Sequence, residues 1–278
     1  MNATFISRST PHPAQETTRK KRRRKLVHPG LLRTAGALAA LAGIICGGTG
    51  CATAGPMHVY TLATAGEERS VQDTGDGRTT AVPSFLEPED VVNGFAYDPF
   101  TDHFFLRLAP GDQIRVVDRP ARAIKREFKL EGVANAEGGD LAVRPRDGHL
   151  FLLQSAPGTI LETSRLGKFV RSFVLSGVTT APIALALDTA RDRLLVLHAD
   201  GRRVTSHDLK GARIDEITLA QAAGTSLAFD PEKRELYAPL PGRDGQIGIF
   251  EESGKLLRTS PATGALVDVG VRSLVRVF

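Results

Sequence analysis

Hydrophobic and polar positions from residue 57 onward follow a short-strand pattern that recurs at a nearly fixed spacing. Four segments open alike, with an apolar run that leads into a polar turn: Gly94–Pro99, Asp140–Pro145, Ala184–Thr189 and Ser226–Pro231. The alanine at the third position of each segment recurs after 46, 44 and 42 residues. A period of about 40–45 residues is typical of one four-stranded blade of a β-propeller.

Within each repeat, four strand signals follow one another in the same order. In the first repeat the opening strand precedes an apolar strand at His103–Leu108, an alternating strand at Gln113–Asp118 and a more polar strand at Ile124–Leu130. Asp and Pro in the first connection suit a type I turn, because an Asp side chain bonds nearby amides and Pro presets φ. Short strands with this alternation, and no long helical periodicity, predict an all-β protein.

The two ends of this region predict one further blade, which they share. Residues 265–278 align with the first and second strands of a repeat, His58–Leu62 resembles a third strand, and residues 67–86 could supply the fourth. Pairing the two ends closes the ring and covers strand edges that would otherwise template aggregation. We therefore predict four intact blades and one shared blade, five in all, with six left open if residues 67–93 form more.

The first 50 residues have a different pattern, which is typical of an export signal. An unbroken basic run, Arg19–Lys25, precedes the uncharged and mostly small and apolar segment Thr34–Ile45. That segment is shorter than the roughly 20 apolar residues that span a bilayer. The sequence predicts a signal peptide with a long basic leader at residues 1–50, a tether at 51–56 and a propeller domain at 57–278.

The small residues Gly47–Gly50 followed by Cys51 resemble the lipobox of bacterial lipoproteins. The resemblance implies a diacylglyceryl thioether on Cys51, a membrane partner through the lipid anchor, and a place in the bacterial cell envelope. Ala52 stands where an Asp typically retains lipoproteins in the inner membrane, so the outer membrane is expected if two membranes are present. Cys46 is the poorer candidate because isoleucines precede it, and an ordinary secretory signal with a bystander cysteine is the alternative.

Charge changes the picture only once its position is considered. The whole chain carries a formal net charge of +5, but residues 51–278 hold 27 basic and 30 acidic side chains. The exported part is thus mildly acidic, which removes the main support for a nucleic-acid partner. We expect no nucleic-acid binding and a monomer.

The repeats resemble propellers of the NHL, YncE-like and SMP-30-like group, whose blades open with a Gly-Leu-Ala-x-Asp-Pro-like stretch. Propellers of this kind place ligands on the loops into each first strand and on the turns between second and third strands. The resemblance therefore points to Glu89, Asp90 and Asn93 before the first repeat, and to Glu137 and Asp140 before the second. Asn93, Glu137 and Asp140 are the candidates for a ligand-binding face.

The sequence leaves three functions open. A non-enzymatic, membrane-tethered propeller that binds a protein or another envelope component is the leading hypothesis, with no cofactor, no metal and no catalytic residue. The alternative is a Ca²⁺-dependent hydrolase or lactonase that uses Glu89, Asp90, Glu137 and Asp140, since carboxylate oxygens are the ligands that Ca²⁺ prefers. However, the equivalent stretches of the third and fourth repeats offer no carboxylate or amide. A purely structural envelope protein is the third hypothesis.

Overall fold

The computed structural model describes residues 57–63, 69–73, 79–81, 83–110, 113–131, 139–154, 156, 158–243, 245–262 and 264–271. These residues form twenty β-strands and no helix, so none of them belongs to a helix that could cross a membrane. The strands pair as five antiparallel sheets of four, which are the blades of a five-bladed propeller. The predicted leader, Cys51, the tether at 51–56 and Glu137 lie outside the described residues.

Four blades are each built from consecutive strands. Blade one contains β4 (Val91–Asp98), β5 (His103–Ala109), β6 (Gln113–Asp118) and β7 (Ala123–Lys129). Blade two contains β8 (Leu141–Arg144), β9 (His149–Leu153), β10 (Thr159–Thr163) and β11 (Phe169–Val174). Blade three contains β12 (Pro182–Asp188), β13 (Arg193–His198), β14 (Arg203–Asp208) and β15 (Arg213–Thr218). Blade four contains β16 (Ala228–Asp230), β17 (Glu235–Pro239), β18 (Gln246–Glu251) and β19 (Leu256–Pro261).

The fifth blade is shared between the two ends of the described chain, as predicted, but the strands are divided differently. Its order is β20 (Leu266–Val271), β1 (Met57–Ala63), β2 (Ser70–Asp73) and β3 (Thr79–Ala81). β1 therefore takes the second position, where a C-terminal strand was expected, and residues 58–62 are not a third strand. The reason is that the apolar side chains of β1 pair directly with β20, with Leu62 opposite Leu266.

The two faces of the propeller are defined by the ends of its inner strands, which all run in the same direction. These strands are β4, β8, β12, β16 and β20. We call the end at which the inner strands finish, with the turns to the second strands, the turn face. The opposite end, where the chain enters each inner strand, is the loop face. Because consecutive strands are antiparallel, the turns between third and fourth strands border the turn face.

The hydrophobic core consists of five clusters, one at each boundary between neighbouring blades. At four boundaries a small inner-strand side chain packs against larger ones of the next blade, as Ala142 does against Leu185 and Leu187. The residues at this position are Ala96, Ala142, Ala186 and Ala228. Side chains alternate across a strand, so the repeat alanines all face the following blade.

The first turn of each repeat has one backbone geometry in spite of different residues. Its last position has a positive φ in blades one to four, at Asp102 (59°), Gly148 (74°), Asp192 (52°) and Arg234 (57°). In blades one, three and four the Asp that ends the inner strand accepts hydrogen bonds from amides of the turn, as Asp230 does from Glu232 and Lys233. The turn chemistry predicted from Asp is therefore confirmed.

Candidate functional site

A cavity of about 350 Å³ opens at the centre of the turn face. Inner strands of all five blades contribute to its wall, which is mostly apolar. Arg144 and Asp230 contribute charge to the wall, and its large apolar side chains are Tyr97, Leu141, Val143, Leu185, Leu187, Phe229 and Val269. A concave, largely apolar site with few polar groups is the usual form of a small-molecule site. We call this cavity the turn-face pocket.

Asp268 on β20 lines this pocket, as does Asp230 at the end of β16. Ser226, which opens the fourth repeat, bonds the backbone of Val267, and this register places Asp268 at the position that alanine holds in the other four blades. Asp268 faces blade one, where its carboxylate accepts a hydrogen bond from the Tyr97 amide at 2.5 Å. Blade five thus presents a charged group where every other blade presents a methyl group.

Burial raises the pKa of Asp268 to about 7, although hydrogen bonds from the amides of Tyr97 and Val269 favour the ionised form. The second of these bonds is 2.8 Å long. The apolar surroundings outweigh both donors because a carboxylate loses most of its hydration there. Near neutral pH the group therefore exchanges between a neutral acid and an anion, which is the behaviour expected of a functional carboxyl group.

The rim of the pocket consists of the first turns of the blades. Pro99, Pro145 and Pro231 contribute rigid apolar surface, and Arg146 and Glu232 contribute charge. An ion pair between Arg146 and Asp192, 2.7 Å long, joins the turn of blade two to that of blade three. The entrance is therefore framed by fixed turns and carries both signs of charge.

Four of the predicted loop-face residues, Glu89, Asp90, Asn93 and Asp140, belong to the described part of the chain. Asp90 is paired with the buried guanidinium of Arg115, and its carboxylate also accepts a hydrogen bond from the Glu87 amide at 2.7 Å. Glu89 is exposed and Asn93 is half-buried. Arg115 also donates hydrogen bonds to Glu127 and to the Phe85 carbonyl. It therefore joins the loop before β4 to the outer strands of blade one.

Asp140 is buried and bonds backbone amides on either side of it. Its two carboxylate oxygens accept hydrogen bonds from Leu141 at 2.9 Å and from Leu185 of blade three at 3.0 Å. Burial raises the pKa of Asp140 well above its usual range. The arrangement joins the inner strands of blades two and three close to the axis of the ring.

No group of three or more His, Cys, Asp or Glu side chains among the described residues has an arrangement that could hold a metal ion. Glu137, one of the four residues of the predicted calcium site, lies outside that part of the chain. The prediction of a Ca²⁺-dependent hydrolase consequently stays a prediction.

Sequence reasoning missed a buried polar network between blades five and one. His58 bonds Asp73 at 2.8 Å, and Arg119 bonds Asp102 through two nitrogens at 2.5 and 3.1 Å. The Tyr97 hydroxyl donates to Asp102 at 3.0 Å. These residues lie between positions 58 and 119 but on different strands and turns of blades five and one, so no short sequence motif indicates the network.

No protein family and no curated protein matches the chain in sequence. Among solved structures the fold is similar to a chain of the nidogen/laminin complex, with a TM-score of 0.52, 13% identity, and coverage of 77% of this chain and 98% of that one. It is also similar to glutaminyl cyclase of Myxococcus xanthus, with a TM-score of 0.50, 15% identity, and coverage of 62% and 71%.

A third similarity is to hydrazine synthase of Kuenenia stuttgartiensis, with a TM-score of 0.43, 12% identity and coverage of 62% of this chain. This chain spans about half of that one, 49% of its length. The first two similarities, at identities this low, establish only the fold, a β-propeller.

Proposed function

We propose that the protein is a lipid-anchored binding module of the bacterial envelope, which takes a small amphiphilic ligand in the turn-face pocket. The observation that carries this proposal is the carboxyl group of Asp268, which lines a mostly apolar cavity at a repeat position that alanine holds in the other four blades. Four blades have alanine at this position, and burying a carboxylate there costs stability. A feature that breaks a structural repeat at such a cost is characteristic of a functional site.

The chemistry of the pocket indicates the class of ligand. Apolar side chains around the pocket suit a hydrocarbon or aromatic body, and the Asp268 carboxylate suits a protonated amine or another N–H donor at its end. A ligand with an anionic end group would have to displace or protonate this carboxylate. The proposed ligand is therefore an apolar molecule with a cationic or hydrogen-bond-donating head group.

Three probes with the same chain length and different head groups test this proposal. We expect calorimetric titration of the full chain at pH 8 to give the tightest binding for n-octylammonium, weaker binding for n-octanol and the weakest for n-octanoate. The preference for ammonium over carboxylate should be at least about tenfold, since one buried charge-assisted contact contributes roughly 1.5–3 kcal/mol. It should weaken below pH 7, where Asp268 becomes neutral.

The matched variants are Asp268→Asn, which keeps shape and removes charge, and Asp215→Asn, which removes an exposed carboxylate on an outer strand. The first should abolish the preference for ammonium and the second should leave it unchanged. Equal binding of the three probes by the unmodified chain, or no binding of any, would contradict the proposed pocket.

The anchor is tested separately, by the intact mass of the protein from the membrane fraction. We expect a species that begins at Cys51 and carries acyl mass, and we expect Cys51→Ser to lose both. An unmodified soluble species would refute the anchor and leave the pocket proposal standing.

A further inference from the structure

The chain enters the propeller at the turn face. Met57, the first residue of β1, pairs with Val271, the last residue of β20. β20 is an inner strand, so its last residue lies at the end where the turn-face pocket opens. The segment that leads back to Cys51 therefore joins the domain on this face.

The tether is short compared with the height of the propeller. Five residues lie between Cys51 and Met57, and the six Cα–Cα steps from one to the other reach at most about 20 Å. A strand of eight residues such as β4 is about 26 Å long. An anchor at Cys51 would thus hold the turn face near the bilayer and keep the loop face away from it.

Two large apolar side chains project from turns of this face. Phe100 is 70% exposed in the first turn of blade one, and Leu166 is 65% exposed in the last turn of blade two. An ion pair between Asp98 and Arg165, 3.0 Å long, joins the two turns that carry them. Large exposed apolar groups at loop tips are the kind that insert into the interfacial region of a membrane.

The two faces also differ in charge, and this difference too favours the turn face as the side that meets the membrane. The eight turn-face connections of blades one to four hold ten Lys and Arg against five Asp and Glu. The described loop-face connections hold three basic and six acidic side chains. A bilayer surface rich in anionic lipids would attract the turn face and repel the loop face.

We propose that the turn face rests on an anionic lipid bilayer, with Phe100 and Leu166 inserted among the headgroups and the turn-face pocket open toward the lipid. This orientation rests on the proposed anchor at Cys51 for its tether, but the apolar and basic groups are properties of the domain itself. In this arrangement a ligand would reach Asp268 from the membrane surface and not from bulk solution.

The two ends of β4 provide a matched pair of positions for the test. Val91, at its loop-face end, is 54% exposed, and Phe100 follows its turn-face end. Full-length F100C and V91C chains, labelled with an environment-sensitive fluorophore, are purified as the membrane-derived protein. They are then reconstituted in vesicles of phosphatidylglycerol and phosphatidylcholine that carry lipid-borne quenchers. We expect quenching at position 100 to exceed quenching at position 91 at least threefold.

Equal quenching at the two positions, stronger quenching at position 91, or shielding of position 100 in the absence of lipid would overturn the orientation. The last result would indicate association of two copies through this face. Near-native melting temperatures of both labelled proteins, which carry their changes at exposed positions, confirm that they are folded.

A second measurement separates this inference from the anchor. The full-length C51S chain cannot be acylated at that position, yet its turn face should still bind phosphatidylglycerol vesicles in flotation, and pure phosphatidylcholine vesicles less. Adding F100D and L166D should lower that affinity about tenfold, because two interfacial apolar contacts are lost, whereas adding V91D should not. Vesicle binding that stays the same in all these variants would refute the docking surface. Absence of acyl mass from the unmodified protein would refute only the anchor.

Discussion

The boundary between blades five and one and the boundary between blades three and four bury the same number of core residues with different chemistry. Each has thirteen buried apolar members. Five are aromatic at the closing boundary, among them Tyr60, Tyr97 and Phe104, and none is alanine. At the boundary of blades three and four, four are alanine and two are aromatic. Only the closing boundary adds the ion pairs around Arg119.

The two boundaries also differ in the blades that they join. Blades three and four are consecutive repeats, so their contacts join residues about one repeat apart. Blade five, on one side of the closing boundary, pairs Leu62 with Leu266 between its own strands β1 and β20, a separation about five times as long, which costs about 1.4 kcal/mol more in chain entropy. The larger rings and the charge-assisted hydrogen bonds lie next to this blade and help to offset that cost.

Removing Arg119 should give the largest effect on this comparison. Its guanidinium bonds Asp102 and lies 3.9 Å from Asp73, and all three side chains are buried. We expect Arg119→Met to lower the free energy of unfolding by about 3–5 kcal/mol, since buried carboxylates lose their counter-charge. Arg191, which pairs with Asp188 and Glu252 near blades three and four, is partly exposed. Arg191→Met should cost less than about 1 kcal/mol. Urea denaturation of both variants decides, and equal losses would refute the contrast.

A smaller effect of opposite sign is expected at Asp268, which is also part of the closing boundary. Because its pKa is raised to about 7 in the folded protein, its contribution to stability is greatest below pH 4 and is lost as the pH rises through 7. Asp268→Asn should therefore stabilise the protein by about 2 kcal/mol at pH 8 and leave it unchanged at pH 4, after allowance for partial exposure. Urea denaturation at pH 4, 6 and 8 measures this, and a pH-independent difference would contradict the shifted pKa.

The smallest effect on stability is expected at the boundary between blades four and five. The Ser226 hydroxyl donates to the Val267 carbonyl at 3.2 Å and accepts from its amide at 3.1 Å, which joins blade four to β20. Ser226→Ala should cost about 1 kcal/mol, the usual contribution of such bonds. Ala184 holds the same repeat position at the boundary of blades three and four, so Ala184→Ser should not bring a matching gain. Thermal unfolding of the two variants compares them.

The sequence could predict the parts of this fold that rest on local chemistry. The repeat alanines, the turn Asp residues and the apolar second strands all mark positions whose neighbours lie within one repeat, and the five-bladed propeller follows from them. The division of the shared blade was wrong because residues 58–62 alternate in a way that suits a second or a third strand. Only their pairing with β20 decides between the two.

Most contacts of the candidate site, in contrast, could not be predicted from the sequence. Asp90 and Asp140 stand in loops where free carboxylates are common, but Arg115 and the Leu185 amide approach them from other strands and blades. Asp268 could have been found, because aligning β20 with the other inner strands places it among the repeat alanines. The partners of His58 and Arg119 could not, since they lie on other strands and turns, 15 and 17 residues away.

The division of the fifth blade also sets the order in which the structure can be completed during synthesis. β1 emerges from the ribosome roughly 200 residues before β20. Until then one backbone edge of β1, a strand with the apolar side chains of Tyr60 and Leu62, has no partner. An unpaired edge on an apolar strand invites pairing with other chains. β20 is thus the strand that protects β1, and the nascent protein must be shielded until β20 has been made.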